Sequence, residues 1–213
     1  MIAAFVRFDL MSWFLRRQAL LVLAFVVLIG VLLPVPGMAI MTAALATSLM
    51  ISTPFLGDER GRLDVLYGVL PISRSTVVVG RVLSIVVYYL AAAALATAVT
   101  LVMATVRGSV LDAGLLLTVH AAAFAFVGVT AVLQFPVFFR IGYTRGRLMS
   151  YAPALVTVGV LWLLQATEST DAVASAAAGI SPPVVVGGCV ALGVVGLIVA
   201  AAVSSRLYRT REI

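Results

Sequence analysis

Residues 18–57 carry no charge at all, a run of 40 residues. One membrane crossing takes about 20 apolar residues, so this run is long enough to cross twice. Pro34-Val35-Pro36-Gly37 divides it and reads as a tight turn. A hairpin follows, with arms over residues 19–33 and 38–55. Uncharged apolar runs recur at 82–106, 113–139, 148–167 and 184–205. The chain is 63% hydrophobic and 10% charged, against about 25% charge in a soluble domain. The sequence therefore predicts an all-α membrane protein of six transmembrane helices in a single membrane domain, residues 1–213.

The basic residues set an orientation. All 14 are arginine, and there is no lysine. That removes a P-loop lysine, a Schiff-base lysine and an S-x-x-K nucleophile. With six spans both termini share one side. Three arginines precede the first span, four follow the second, three follow the fourth and three close the chain, while the opposite side holds Arg107 alone. Cytoplasmic loops are enriched in this way, so both termini are expected in the cytoplasm. The net charge of +6 then reflects orientation, and no nucleic-acid partner is expected. The single Cys189 excludes an intrachain disulfide. The first apolar run leads straight into further spans, unlike a cleaved signal peptide.

Residues 1–18 mix Phe5, Phe8, Trp13 and Phe14 with Arg7, Asp9, Arg16 and Arg17. Asp9, Ser12 and Arg16 fall on one helical face, which predicts an interfacial helix lying on the membrane. The longest polar interruption is residues 57–81, GDERGRLDVLYGVLPISRSTVVVGR. Its first half alternates sign and predicts a short helix, with Asp58 and Glu59 near the positive N-terminal end. Leu63, Val65, Leu66 and Leu70 supply an apolar face. Pro71 ends that helix, and Ser73 or Ser75 could cap the next. Such a helix suits docking onto a soluble partner; the alternative is a solvated loop joining two spans. A second interruption, RIGYTRGR at 140–147, is expected to be a loop, with Pro136 kinking the span before it. Residues 168–183 hold two acids and no base and read as a loop or short surface helix.

Chemistry is sparse inside the spans. His120 is the sole histidine, so a metal site lacks ligands, and no G-x-S-x-G turn offers it a nucleophile. It is either a neutral partner between helices or a functional group. No Asp or Glu lies within a span, which argues against proton-coupled transport. Thr42, Thr47, Ser48, Ser52 and Thr53 serve either helix-to-helix hydrogen bonding or one wall of a transport path, for which Thr42, Ser48, Ser52 and His120 are the candidates. Gln134 and Gln165 read as helix contacts, and Gly187, Gly188, Gly193 and Gly196 as packing positions.

Residues 58–81 and FPVFFRIGYTRGR at 135–147 together resemble permease subunits of the type 2 class of ABC exporters. The resemblance is to the short-chain branch that includes the phenol-soluble modulin exporter permeases. The first motif matches at Asp58, Glu59, Leu66, Leu70, Pro71, Ser73, Arg74 and Arg81. The second matches at Pro136, Phe138, Phe139, Arg140, Gly142, Tyr143, Arg145 and Arg147, with Ile141 where an aromatic is expected. The resemblance implies a non-enzymatic exporter subunit of the bacterial plasma membrane, working on an apolar or amphipathic peptide, lipid or drug. It implies a second permease, identical or not, and a separate ABC ATPase that holds the ATP and Mg; this chain itself would hold no cofactor. It also implies that residues 57–75 form an ATPase-coupling segment, with Asp58, Glu59, Arg60, Arg62, Leu63, Asp64, Leu66, Tyr67, Leu70, Pro71 and Arg74 as contacts. The loop 140–147, with Arg140, Tyr143, Arg145 and Arg147, would lie beside it. The alternatives are a membrane assembly protein without transport activity and, less favoured, an intramembrane enzyme built on His120.

Overall fold

The computed structural model describes residues 2–14, 16–63, 67, 72–172, 175 and 179–210, and among these every regular element is helical. Helices satisfy their own backbone hydrogen bonds, which lipid cannot do for them. In chain order they are α1 (Ile2–Trp13), α2 (Arg17–Leu32), α3 (Met38–Met50), α4 (Thr53–Gly61), α5 (Arg74–Arg107), α6 (Ala113–Gly146), α7 (Ala152–Ala166) and α8 (Pro182–Arg209), with a 3₁₀ turn at Arg147–Tyr151. Among the described residues, four stretches are long and apolar enough to cross a membrane: Met38–Gly61, Arg74–Arg107, Ala113–Ala166 and Pro182–Arg209. The third holds 54 residues, at 1.5 Å each about 80 Å, more than twice the thickness of a bilayer core. It is broken in the middle. α1 and α2 pass the same test only as a pair, and they are bent by 81° where they meet.

Two apolar cores stack along the bundle. One is aromatic and lies at the arginine-rich end, with Phe5, Trp13, Phe55, Phe135, Phe138, Phe139 and Tyr208. The other is built from small residues: Ala39, Ala43, Ala44 and Ala46 of α3 against Ala92, Ala93 and Ala96 of α5. The packing of α6 on α8 is closer still. A Cβ built on Gly128 would lie 2.5 Å from the Gly193 carbonyl oxygen, and one on Gly196 would lie 2.7 Å from the Gly128 backbone. Side chains are absent at the crossing so that the two backbones can touch. Gly187 and Gly188 have no atom within 4 Å of such a Cβ and are not packing positions in this chain. α7 is the loosest element: Pro153 is its one buried residue, and Leu155, Val158 and Trp162 are exposed. Gln165 is exposed with it rather than serving as a helix contact.

Three sequence expectations are corrected here. α4 begins at Thr53, inside the apolar run, with Pro54 in its first turn. Asp58 and Glu59 therefore sit near its C-terminal end, where the helix dipole opposes them. The expected loop at 140–147 is mostly helical, because α6 runs on to Gly146. Pro136 lies within α6, and the non-helical backbone falls at Gly142 (φ 78°, ψ 177°), a conformation open to glycine and to few other residues. Ser73 does cap α5, accepting from the Thr76 amide. Of the expected coupling helix, Asp64, Val65, Leu66, Leu70 and Pro71 lie outside the described residues.

The α6–α8 contact makes a direct forecast. Gly128→Ala should lower stability by about 1–3 kcal/mol through overpacking, read as a lower melting midpoint of the detergent-solubilised protein. Gly188→Ala should leave that midpoint unchanged.

Candidate functional site

The arginine-rich end holds the one group of charges buried within the described chain. Arg81, on the second turn of α5, is fully buried. Its Nη2 meets Asp9 Oδ1 of α1 at 3.0 Å and Asp58 Oδ2 of α4 at 2.9 Å. The rings of Phe5 and Phe55 lie 6.0 and 5.0 Å from the guanidinium carbon. An arginine suits such a place because its flat, weakly hydrated cation stacks on aromatic faces while its edge takes carboxylates. Both carboxylates converge on one nitrogen, and among the described residues Nε and Nη1 have no hydrogen-bond partner.

The outer oxygens of the two aspartates are also occupied. Trp13 Nε1 donates to Asp9 Oδ2 at 3.3 Å, and Tyr67 Oη donates to Asp58 Oδ1 at 3.2 Å. Burial, reinforced by the nearby Asp58 charge, pushes the Tyr67 phenol above its ordinary pKa. At neutral pH it therefore remains a proton donor to the carboxylate. The predicted polar face Asp9–Ser12–Arg16 is not what α1 presents. Asp9 faces inward with Phe5 and Trp13, one helical turn to either side, and Arg16 lies beyond the end of α1 in extended backbone.

A second tie joins α4 to α6. The break at Gly142 interrupts the helical ladder, so the next turn starts with amides that have no carbonyl behind them. Glu59 fills that gap: its Oε1 and Oε2 both lie 3.1 Å from the Thr144 amide nitrogen, and the Thr144 hydroxyl also donates to it. The carboxylate stands at the positive start of a helical turn. A third tie joins α5 to α8. Arg74 Nη1 donates to the carbonyls of Tyr208 and Arg209 at 3.0 and 2.9 Å, and its guanidinium lies over the Tyr208 ring. Cations belong at this open C-terminal end. Through these contacts α1, α4, α5, α6 and α8 form one network.

The sequence-predicted coupling residues divide. Asp58, Glu59, Tyr67 and Arg74 belong to the network. Arg60, Arg62, Arg140, Arg145 and Arg147 are exposed, while Leu63 and Tyr143 are half-buried. Arg62 adopts a left-handed conformation (φ 48°) and returns its amide to the Asp58 carbonyl, ending α4. Asp9, Trp13 and Thr144 were not among the site residues expected from sequence; Asp9 and Trp13 were read only as parts of an interfacial helix. The missed signal was the spacing Phe5–Asp9–Trp13, which puts an acid in the centre of an aromatic stripe.

The four candidate path residues are engaged separately. Thr42 donates to the Met38 carbonyl of its own helix and borders a cavity shared with α2. Ser48 is buried and bonded to Thr130 of α6 at 2.8 Å, with Gln134 Nε2 on its carbonyl. Ser52 donates to Leu49 at the α3–α4 joint. His120 bridges α6 to α5: Nδ1 is 2.9 Å from the Leu116 carbonyl and Nε2 is 2.8 Å from the Thr97 hydroxyl. A carbonyl only accepts, so Nδ1 carries a proton; the Thr97 hydroxyl that meets Nε2 also donates to the Ala93 carbonyl of its own helix at 2.7 Å. No group of three or more metal-ligating side chains occurs among the described residues.

Two outcomes are expected. Arg81→Met leaves two buried carboxylates facing each other and should cost about 3–5 kcal/mol, whereas adding Asp9→Leu and Asp58→Leu to it should recover most of that loss. Denaturant melts of the three proteins decide it. His120→Gln should cost only about 0.6 kcal/mol, the average for such membrane hydrogen bonds, in the same measurement.

Residues 9–209 match the family model for the ABC-2 family transporter protein. No curated protein and no solved structure matches the chain.

Proposed function

The chain belongs to the ABC-2 transporter family, and on that premise we propose that it is the permease subunit of an ATP-driven exporter of the short, six-span branch. The family is a membrane transport component and not itself catalytic. In this reading α1 lies along the cytoplasmic face of the bacterial plasma membrane and both termini are cytoplasmic. Spans one and two are α2 and α3–α4, spans three and four are α5 and the first part of α6, and spans five and six are α7 and α8. Two permeases pair, and two ABC ATPase subunits dock beneath them. The substrate is apolar or amphipathic, in keeping with a body lined by alanine, valine and isolated hydroxyls.

One observation carries this reading: the polar network at the arginine-rich end. Were residues 57–75 only a solvated loop, nothing would require a buried arginine to bind the last turns of α4. Here α4 is tied to α1, α5 and α6 by charged groups that are costly to separate once desolvated. A push on the segment just beyond α4 is passed to three other helices at once. The network thus has the mechanical property that an ATP-driven permease needs at its docking face.

Topology and partnership test the proposal together. Reporter fusions after Ile213 should give a cytoplasmic signal, and fusions within residues 168–183 an external one. The tagged chain, extracted in mild detergent, should bring with it a subunit bearing Walker motifs whose ATP hydrolysis rises when an amphipathic substrate is added. A cytoplasmic signal from the 168–183 fusion would sink the six-span reading. A chain that purifies alone from membranes in which that ATPase is present would leave the assembly-protein reading in its place.

A further inference from the structure

The alternating signs of residues 58–62 suggest a docking surface of mixed charge. The folded chain separates them. Asp58 and Asp9 turn inward to Arg81, and Glu59 turns sideways onto Thr144. What remains exposed on either side of the Glu59–Thr144 junction is of one sign: Arg60 and Arg62 from the end of α4, and Arg140, Arg145 and Arg147 from the end of α6 and the turn after it. Among the described residues both ion pairs belong to Arg81, so none of these five is neutralised by a carboxylate. Exposed Ile141 and Leu148 and half-buried Leu63 and Tyr143 lie among or directly beside them in sequence. Arginine mixed with large apolar side chains is the composition of protein interfaces.

We propose that these five arginines are a docking surface for a carboxylate-rich groove on the ATPase subunit, and that the acids of the Asp58–Glu59 pair take no part in that contact. This rests on the permease reading above. Each guanidinium offers a flat fork of donors that matches a carboxylate. The acids act one step behind, holding α4 and the end of α6 in register so that two arginine groups meet the partner as one surface. A cationic face meeting an anionic groove speeds encounter and fixes orientation, and its strength falls with salt.

The test uses the full chain in nanodiscs of phosphatidylcholine alone and, in parallel, with phosphatidylglycerol. The probe is the ATPase subunit that purifies with the native chain, identified by its Walker sequence. In phosphatidylcholine, Arg60→Glu with Arg62→Glu, and separately Arg145→Glu with Arg147→Glu, should each weaken binding by about tenfold or more. The corresponding glutamine pairs should weaken it by a smaller factor in the same direction, which guards against a reversal that fails to fold. The native complex should weaken steeply as salt rises from about 50 mM to about 500 mM. Arg107→Glu makes the same substitution at the far end of α5, with half the charge change of either pair, and should leave the affinity unaltered. If the reversed and neutralised pairs bind as tightly as the native chain, the inference is wrong while the permease reading stands. If the loss appears only with phosphatidylglycerol present, the surface contacts lipid headgroups and the inference is also wrong. If no ATPase purifies with the native chain, both fall.

Discussion

A guanidinium in a fully buried position must be matched where it lies, because water cannot reach it. Arg81 is matched by two carboxylates, one from α1 and one from α4, and each of those is held in turn by a tryptophan or a tyrosine. Taking three ions out of water is expensive, and their attraction offsets that cost only in one geometry. The set thus acts less as a source of stability than as a specification. α1 cannot turn its apolar stripe elsewhere, and α4 cannot shift along α5, without leaving a buried charge alone. Phe5 and Phe55 follow from the same constraint, since their faces cover the cation that the aspartates hold at its edge.

The rest of the arginine-rich end is arranged around this point. α4 carries its acids where the helix dipole disfavours them, and external partners compensate: Arg81 for Asp58, the open turn at Thr144 for Glu59. The break at Gly142 supplies the amide that Glu59 needs, so a glycine in α6 and an acid in α4 form one device. Arg74 does the same for the last carbonyls of α8. Toward the other end the adhesive is of another kind. Alanine faces and the Gly128–Gly193–Gly196 crossing bring backbones together by shape alone. One end of the bundle is joined by contacts between charged groups, and the other mainly by close packing, with the His120–Thr97 bond between α6 and α5 and the Arg107 bonds from α5 to the carbonyls at the end of α2 added to it. The charged contacts thus join α1, α4, α5, α6 and α8 at the polar end, while α7 buries only Pro153.

Much of the architecture was legible along the chain. Membrane class, helical content, the turn at residues 34–37, the cap at Ser73 and the importance of residues 57–81 follow from local properties: hydropathy, proline and glycine positions, and runs of charge. The family match over residues 9–209 agrees with the type 2 ABC permease class that those motifs resembled. The details that failed were those set by contacts between segments distant in sequence. Asp9 reads as a polar-face residue on helical spacing alone, yet its burial depends on Arg81. Asp58 and Glu59 read as N-terminal acids because the charge run appears to begin a helix, yet α4 starts five residues earlier, at Thr53. Gly142, not Pro136, breaks the backbone of α6 because a left-handed φ forces the chain out of the helix, whereas the ring of Pro136 is accommodated within it.

Composition and periodicity decide which residues must avoid water, since that cost belongs to each side chain separately. They determined that this chain is a bundle of apolar helices with all of its arginines but Arg107 gathered toward one end. Which charge answers which depends on distances between helices that no local pattern encodes. The tertiary structure decided that the acids of the polar segment face inward, that the arginines beside them face outward, and that one buried guanidinium holds α1, α4 and α5 together. Desolvated ions require partners within about 3 Å, and only the folded chain brings these residues that close.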